Sequence, residues 1–560
     1  MSPCQMMPER YLASPRKLTC RGTDQPSAVM PCAGIKVAAA YEIWPSAVRT
    51  YNANLGTNHN TSDIRRLDFS DLPRGVSLVV GSPPCTEFSF SNRGGRGNIA
   101  EGLKDVVKFL EVVRCLKPTY WLMENVPRIA SLLCEGLANE DHPLFAFRDL
   151  SPEVRVLDFS DFGLPQSRKR CLVGVFPFDR LESYAPAQRR ATLGEVIDAL
   201  STEGEVIDPI WKIALPRRML TEMEAEPVLT GEQLRMNREA KRFHPVYNDM
   251  PFPDAMDRPS RTITATCTRV SRESIVVPDK DGISVRRLKI RERASLQGFP
   301  ISYQFFGSSH SQKVKMIGNA VPPLFAFLVG AAAQGWAEAT VANVVEQEAG
   351  PLMLPRELPE ITPPHAVGTK YPAHRRFRAA LPGLRFKSGM RFELSNEFAN
   401  RRVTWAVHFY FGTSKAVRNV ALDARLNLTL QSEPWVGRAL SECHKQLASL
   451  FELKGSSTAD SLQEAWCRSS EGIGPYQVVD MLGHAAIALT NVFAEMPVSY
   501  CKSLVMSLCV GSKSSEYCTE KLSRHSSAVL AGLVLGCWFN CIPWGAEDSG
   551  SCCQPLTFAG

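Results

Sequence analysis

The sequence predicts an α/β protein built on a Rossmann-like, mainly parallel sheet, with a smaller lobe and an added C-terminal domain. Two segments carry this prediction. Gly75–Gly81 is a β-rich apolar run, and Asp105–Leu116 has apolar residues at helical spacing before a second β-rich run, Thr119–Met123. Strand, helix and strand in that order form the βαβ unit of a parallel sheet with helices on its faces.

Each element ends on a recognisable signal. Gly75–Gly81 runs into Ser-Pro-Pro, which indicates a buried strand entering a rigid loop. The helix is followed by Lys117-Pro118, and the second strand runs into Glu124-Asn125-Val126. In open α/β sheets, chemistry gathers in loops at the carboxyl ends of strands. Both loops end in reactive groups, a cysteine in the first and a carboxylate in the second.

Composition narrows the class of protein. The 560 residues are 44% apolar and 22% charged, which excludes a mainly disordered or fibrous chain and predicts several domains. No run reaches the roughly 18 to 20 apolar residues of a membrane span, and the first residues lack the apolar core of a secretory signal. We therefore predict no membrane association. A net charge of +7 allows a polyanionic partner without requiring one.

The chain divides by composition. Residues 184–256 carry many basic and polar residues, and residues 346–374 hold the repeated prolines of a stiff linker. Residues 375–496 are predicted to form an accessory domain of unknown role. Seven of the 17 cysteines crowd residues 497–560 without the paired spacing of a zinc ribbon. We expect that tail to be poorly ordered, and we predict no metal site.

Six motifs occur in an order that resembles the DNA (cytosine-5)-methyltransferase family, over roughly residues 33–330. They are Ala38-Ala-Ala-Tyr-Glu-Ile-Trp-Pro-Ser-Ala47, Gly81-Ser-Pro-Pro-Cys85, Glu124-Asn-Val-Pro127, Phe162-Gly-Leu-Pro-Gln-Ser-Arg-Lys-Arg170, Arg291-Glu-Arg-Ala-Ser-Leu-Gln-Gly-Phe-Pro300 and Gly318-Asn-Ala-Val-Pro-Pro323. The resemblance implies a Rossmann-like methyltransferase sheet formed by residues 33–183 and 290–335, and a target-recognition region over 184–289. One such motif alone would mean little.

The resemblance assigns the chemistry to four residues. Cytosine C5 is a poor nucleophile until a thiolate adds at C6, the role that Cys85 would take. Glu124 would relieve the negative charge that builds on the ring at N3 and N4. Arg168 and Arg170 would hold the base O2 and backbone phosphates. Since C6 is inaccessible in a duplex, the base must flip out at a cost of a few kcal/mol.

The implied cofactor is S-adenosyl-L-methionine. Glu42, with Ile43, matches the acidic strand end that accepts hydrogen bonds from ribose hydroxyls. Asp63, with Ile64, matches the contact to the adenine amino group, and Pro83 and Asn319 would complete the pocket wall. Isolated cysteines in apolar stretches, such as Cys115, Cys134 and Cys171, are expected to be buried small hydrophobes.

The implied partner is double-stranded DNA, and the implied setting is the prokaryotic cytoplasm, with a monomeric enzyme and a cognate restriction endonuclease acting on the same site. Basic residues of the recognition region would take phosphates, while Arg, Asn or Gln would read base edges. They are Arg217, Arg218, Arg235, Arg238, Lys241, Arg242 and His244, with Tyr247 and Asn248 nearby. The motifs do not give the DNA sequence. They leave open whether Arg291 and Glu292 contact substrate or form an internal structural pair.

One departure from the family pattern stands at the start. The family begins with a glycine-rich turn that lets the backbone approach the cofactor, whereas Leu18–Pro26 keeps Gly22 alone. We expect residues 1–32 to be a degenerate segment and cofactor binding to be weak or lost. This leaves a second hypothesis, a family member that binds DNA but is catalytically impaired. An RNA-directed relative is a third, disfavoured because its flanking motifs are not apparent.

Overall fold

In the computed structural model the chain forms two compact units, with the boundary after His365, inside the predicted linker. The structure describes these residues: 35–88, 97–242, 250–266, 268, 270–341, 354–364, 371–386, 390–399, 402–413, 416–442, 444–468, 472–509, 516–542 and 544. The predicted degenerate segment, residues 1–32, lies outside them.

The first unit contains a four-stranded sheet with strand order β1-β2-β4-β3. Its strands are β1 (Leu78–Gly81), β2 (Tyr120–Asn125), β3 (Glu153–Asp158) and β4 (Lys169–Val175). Only β1 and β2 are parallel among these described strands, so the prediction of a mainly parallel sheet is wrong for this part of the chain. The connection from β3 to β4 is too short for the crossover that parallel strands need.

Helices cover both faces of this sheet, which explains why β1 and the middle of β2, Trp121 to Met123, are apolar and buried. The helices are α1 (Pro45–Leu55), α2 (Ile99–Leu116), α3 (Ile129–Ala138), α4 (Phe178–Ser183), α5 (Leu193–Ser201), α6 (Gly231–Arg242), α7 (Ile290–Leu296), α8 (His310–Asn319) and α9 (Pro323–Gln334). Val79 and Trp121 pack with α2 and α3, whereas Val80 and Leu122 pack in the cluster that contains α9. The α/β class is confirmed.

Two short hairpins follow in the sequence, β5 (Glu205–Ile207) with β6 (Ala214–Pro216), and β7 (Val276–Pro278) with β8 (Val285–Arg287). They belong to the predicted recognition region. The strand expected just before Glu42 is not assigned in residues 35–44. A strand is defined by its ladder, and no described segment pairs with that stretch.

The second unit contains an antiparallel sheet in the order β12-β11-β10-β9. Its strands are β9 (Arg378–Arg385), β10 (Arg391–Ala399), β11 (Arg402–Thr413) and β12 (Ala416–Val420). Its helices are α10 (Ala424–Gln431), α11 (Pro434–Glu442), α12 (His444–Ser456), α13 (Ala459–Arg468), α14 (Pro475–Ala494), α15 (Val498–Cys509), α16 (Glu516–Arg524) and α17 (Ser526–Cys541).

The expectation of a poorly ordered tail from residue 497 is wrong for α15 to α17. Helix α17 packs directly on the sheet, where a Cβ at Gly532 would lie 2.4 Å from the ring of Phe392. The side chain of Asn540 accepts a hydrogen bond from the Val407 amide (2.8 Å) and donates to the Val407 carbonyl (2.9 Å). Burying the apolar face of the sheet against α17 removes both from water, which is favourable. Helix α17 therefore completes the core of the second unit.

Two helical stretches of the described chain are long and apolar enough to cross a membrane, His310–Gln334 and Pro475–Ala494. The apolar window of the first is 89% buried in its own unit. The second buries one side, including Val478 and Leu482. Core helices pass the same length and composition test, so these stretches are weak grounds for a membrane span.

Candidate active site

Cys85 lies just beyond the end of β1, in the loop that opens with Ser82-Pro83-Pro84. The loop is held from below, because the Asn125 side-chain amide donates to the Pro83 carbonyl (3.0 Å). A turn follows, in which the Phe88 amide donates to the Cys85 carbonyl (3.0 Å). The Cys85 side chain is half-buried and is not in a disulfide. A thiol is thus presented at the edge of the sheet on a fixed backbone.

Glu124 lies near the carboxyl end of the neighbouring strand and has two side-chain partners. The Ser82 hydroxyl donates to Oε2 (2.6 Å), and Nε of Arg170 lies 2.8 Å from Oε1. The side chains of Arg170 and Glu124 are only 12% and 10% exposed. The Ser82 hydrogen bond and the Arg170 ion pair together fix the orientation of the Glu124 carboxylate.

Strand register explains why three distant motifs meet here. Gly81 on β1 is the ladder partner of Met123 on β2, so Ser82 and Glu124 follow side by side. On the other side of β2, Glu124 pairs with Leu172 of β4, which brings Arg170 to the same edge. The predicted residues Cys85, Glu124 and Arg170 therefore lie in one region. Ser82, which sequence reasoning did not single out, completes it.

The other cysteines of this unit are distinct from Cys85. Cys171 is buried on β4, and burial, together with the nearby charge of Glu124, raises its pKa to about 12. It stays protonated at neutral pH and cannot serve as a nucleophile. The expectation that Cys115 and Cys134 are buried is wrong, because both are exposed on the outer sides of α2 and α3.

Arg168 is not brought to the Glu124 carboxylate. Its residue is 3% exposed, and its guanidinium donates to the carbonyls of Ile263 (3.2 Å), Gly318 (3.2 Å) and Ala320 (3.3 Å). The structure thus places this side chain among buried backbone carbonyls, where it ties three segments together. Nothing in these contacts supports the predicted role of holding a base.

Neighbouring motif residues serve the same junction. The Gln166 side chain accepts from the Ile263 amide (2.7 Å) and donates to Gln297 (2.6 Å). A Cβ at Gly318 would lie 2.3 Å from the Ala265 backbone nitrogen, so only glycine fits there. The Gln166 and Gly318 motifs are therefore needed to dock the returning chain onto the sheet.

Replacing Arg168 with methionine should lower the free energy of unfolding by about 3 kcal/mol, because three buried carbonyls lose their donor. Urea denaturation of the purified chain measures this change. Arg74→Met is the control, because Arg74 is exposed and surface substitutions usually change stability by no more than about 0.5 kcal/mol. An Arg168→Met protein within about 0.5 kcal/mol of the wild type would contradict the assignment.

Arg291 and Glu292 also prove to be internal. Nη1 of Arg291 donates to the Tyr303 carbonyl (2.7 Å), while Glu292 accepts from both terminal nitrogens of Arg286 (2.8 Å each). Both residues are at most 1% exposed. Each supports the fold with its own partners, so they are structural residues but not a pair with each other.

The residues expected to hold the adenosine part of the cofactor lie on adjacent segments. The Ser62 amide donates to the Glu42 carbonyl (2.8 Å), which places Asp63 close to Glu42. Oε1 of Glu42 accepts from the Trp44 amide (2.7 Å), and Oδ1 of Asp63 accepts from the Arg65 amide (2.9 Å). These bonds fix both carboxylates, and such acceptors suit ribose hydroxyls and an adenine amino group.

The remaining cofactor candidates differ in exposure. Ile43 is 52% exposed and Ile64 is 4% exposed. Pro83 is buried, and Asn319 is half-buried at the end of α8. A cavity of about 30 Å³ lies between the sheet and α9. It is lined by Val80, Gly81, Leu122, Glu124, Leu172, Val321, Phe325, Ala326 and Val329. That volume suits a water molecule and not a nucleoside.

The fold and site define a class of protein: an α/β enzyme with a cysteine at one strand end and an arginine-held carboxylate at the next. The C-5 cytosine-specific DNA methylase family matches residues 27–334, more than half of the chain. The chain belongs to this family, which confirms the resemblance carried by the six motifs. In the described part of the chain, no three His, Cys, Asp or Glu side chains converge to hold a metal.

Individual relatives match the same region. Type II methyltransferase M.HgiDI of Herpetosiphon aurantiacus is 26% identical over 321 residues, covering 54% of this chain and 89% of that protein. Type II methyltransferase M.MthTI of Methanothermobacter thermautotrophicus is 26% identical over 301 residues, covering 52% and 88%. The crystal structure of S. pombe Dnmt2 methyltransferase covers 57% of this chain and 99% of that one, at 17% identity and a TM-score of 0.40.

Proposed function

We propose that this chain transfers a methyl group from S-adenosyl-L-methionine to C5 of cytosine in a specific duplex DNA sequence. The observation that carries the proposal is the meeting of Cys85, Glu124 and Arg170 at one sheet edge, with Ser82 beside them. Family membership supplies the substrate class. The type II relatives support a prokaryotic modification enzyme. The proposal also includes a cytoplasmic monomer that acts alongside a cognate restriction endonuclease.

The Cys85 sulfur adds to C6 of a cytosine that has been flipped out of the duplex. Electron density released toward N3 is relieved by a proton held on Glu124, while Ser82 and Arg170 fix the position of that carboxyl group. C5 thereby becomes enamine-like and nucleophilic. After methylation, the C5 proton is lost to solvent, the C6–S bond breaks with the sulfur leaving as a thiolate, and the proton at N3 returns to Glu124, so both groups are restored.

S-adenosyl-L-methionine supplies an activated methyl group when it is bound. Glu42 would accept hydrogen bonds from its ribose and Asp63 from its adenine amino group, with Pro83 and Asn319 as neighbours. The adjacency of the Glu42 and Ser62-Asp63 segments supports this. The region expected to meet the methionine end lies outside the described residues.

The recognition region keeps part of its predicted basic surface. Arg218 and Arg238 are exposed and can meet phosphates. Arg217 instead donates to the Leu200 carbonyl (2.8 Å), and Lys241 is buried beside Asp254, with Nζ 3.4 Å from Oδ2. Burial lowers the pKa of Lys241 to about 8. The prediction that Lys241 contacts phosphate is therefore wrong. The predicted contacts Arg242, His244, Tyr247 and Asn248 have side chains outside the described residues.

Calorimetry with S-adenosyl-L-methionine separates the enzyme from the DNA-binding, catalytically impaired alternative that the degenerate Leu18–Pro26 segment suggests. We expect a saturable binding heat below about 1 mM cofactor. Glu42→Ala should weaken binding by roughly 10-fold to 100-fold, the effect of losing hydrogen bonds to a charged acceptor. Absence of binding at millimolar cofactor, with DNA binding retained, would overturn the enzyme proposal and favour the alternative.

A further inference from the structure

The positive charge of this protein is concentrated outside the methylase region. Residues 370–420 contain eleven Lys or Arg and only two Asp or Glu, a net charge of +9, whereas the whole chain carries +7. The other 509 residues together are therefore slightly acidic. All four strands of the second unit lie within this basic segment. The positive net charge of the chain thus comes from this one short segment, which holds the four described strands of the second unit.

Register shows how these side chains are distributed between the two faces. Arg391 is the ladder partner of Tyr410, Glu393 of His408, Ser395 of Arg378, and Ala399 of Arg402. Partners across a ladder, and alternate residues along a strand, share a face. The face opposite is apolar and buried, with Phe392, Leu394, Trp405, Val407 and Phe409. Arg378, Arg391 and Arg402 therefore share the polar face with Tyr410 and His408, and so does Arg385, the ladder partner of Arg391.

The two acidic residues do not neutralise the whole face. Glu397 is exposed on it, and its Oε1 lies 3.9 Å from Nε2 of His408. Glu393 is 3% exposed and is held between Arg378 and Arg391, whose Nε lies 2.7 Å from Oε2. Both guanidinium groups lie over the Tyr410 ring, 5.3 and 5.0 Å from its centroid. The Arg378 side chain is still 57% exposed, and Arg402 is exposed at the start of β11. A fixed, partly solvated array of cations results.

Arg376 extends the array beyond β9. Around it, exposure alternates along the chain, with Arg376 and Arg378 exposed and Phe377 and Ala379 buried. Phe377 is anchored by Trp405 and Trp466, with ring centroids 5.5 and 4.9 Å away. The backbone that carries the exposed Arg376 and Arg378 is therefore held in place by the buried aromatic contacts of Phe377.

We propose that this polar sheet face, defined by Arg376, Arg378, Arg391, Arg402, His408 and Tyr410, binds the sugar–phosphate backbone of duplex DNA outside the methylated site. The inference rests on the proposed function for the choice of DNA as the polyanion. Exposed guanidinium groups spread over a sheet face favour contacts with the DNA backbone over the reading of base edges. The face would thereby raise affinity for long DNA without changing the target sequence.

The test uses the full-length chain with Arg376→Gln and Arg402→Gln, two exposed residues that leave the Glu393 cluster intact. Binding to a 40-base-pair duplex is followed by fluorescence anisotropy across salt concentrations. Each lost phosphate contact should reduce the salt slope by about 0.9, so we expect a loss of about 1.8 in slope and roughly 60-fold in affinity at 0.1 M salt. Melting temperature should be unchanged.

The matched control is Arg425→Gln with Lys502→Gln, which removes the same charge from exposed positions on α10 and α15. Its DNA affinity should stay within about threefold of the wild type. Equal DNA affinity and equal salt slope for the Arg376/Arg402 variant and the wild type would overturn the proposal. It would also be overturned if the variant lost binding to phosphatidylserine vesicles while its DNA binding was unchanged, because the face would then bind a membrane surface instead of DNA. Methyl transfer measured in parallel tests the proposed function separately. If methyl transfer occurs but DNA binding does not depend on this face, only the proposed DNA-binding role of the face is overturned. If DNA binding depends on the face but no methyl transfer occurs, only the proposed enzyme function is overturned.

Discussion

Replacing Cys85 with serine should abolish methyl transfer, with turnover falling by roughly 10⁴-fold or more, while DNA binding is retained. Serine preserves the shape of the side chain, but its hydroxyl is not appreciably ionised at neutral pH and does not add to C6. The backbone that presents the residue is fixed by the Asn125–Pro83 hydrogen bond and does not depend on the sulfur. Incorporation of labelled methyl groups into duplex DNA measures the effect.

Cys134→Ser is the matched control, because that cysteine is exposed on α3 and should leave turnover unchanged. A second readout reports the bond itself. A duplex with 5-fluorocytosine at the target cannot lose a proton from C5, so its adduct with Cys85 should persist on a denaturing gel. Turnover by Cys85→Ser near the wild-type level would remove Cys85 from the nucleophile role.

Replacing Glu124 with glutamine should lower turnover by about 10²-fold to 10⁴-fold, the usual contribution of a positioned acid or base. Glutamine keeps the size of the side chain and can still accept from the Ser82 hydroxyl, which lies 2.6 Å from Oε2 in the wild type. Its amide protons are not acidic enough to be transferred to a developing charge at N3. Single-turnover rates with saturating DNA separate this effect from binding.

Ser82→Ala distinguishes the chemistry of the carboxyl group from its positioning. It removes one hydrogen bond but keeps the carboxylate and its contact with Arg170 (2.8 Å). The lost hydrogen bond is worth about 1 kcal/mol, so we expect turnover to fall about fivefold, much less than with Glu124→Gln. A Glu124→Gln enzyme within threefold of the wild type would assign the proton-donating role to another group.

The two central residues could be predicted because their positions are local properties of the chain. Cys85 and Glu124 stand at the carboxyl ends of consecutive apolar strands, and parallel neighbours bring such ends to one edge. The two arginines could not be separated in this way. Arg170 lies in β4, and the register of β4 with β2 places its side chain beside Glu124. Arg168 precedes that strand, so its position depends on contacts with distant loops.

The position of Lys241 could not be predicted either. Nothing in its polar sequence surroundings indicates that the Asp254 carboxylate lies beside it in the interior. The last helices show the same limit for apolar residues. The composition of α17 indicated no partner, because its partner is the apolar face of a sheet whose strands lie more than 100 residues earlier. Gly532 allows α17 to approach Phe392 closely, and Asn540 occupies the edge of β11 at Val407.

The sequence by itself determined the fold class and the family, and motif order predicted the roles of Cys85, Glu124 and the acidic Glu42. Only the tertiary structure decided which basic side chains face solvent, which of two motif arginines meets the carboxylate, and where the C-terminal helices pack. The physical reason is that motifs and strand ends are set by short-range chain geometry. Burial and pairing depend instead on segments distant in sequence, and a charged side chain is stable inside only where such a segment supplies its partner.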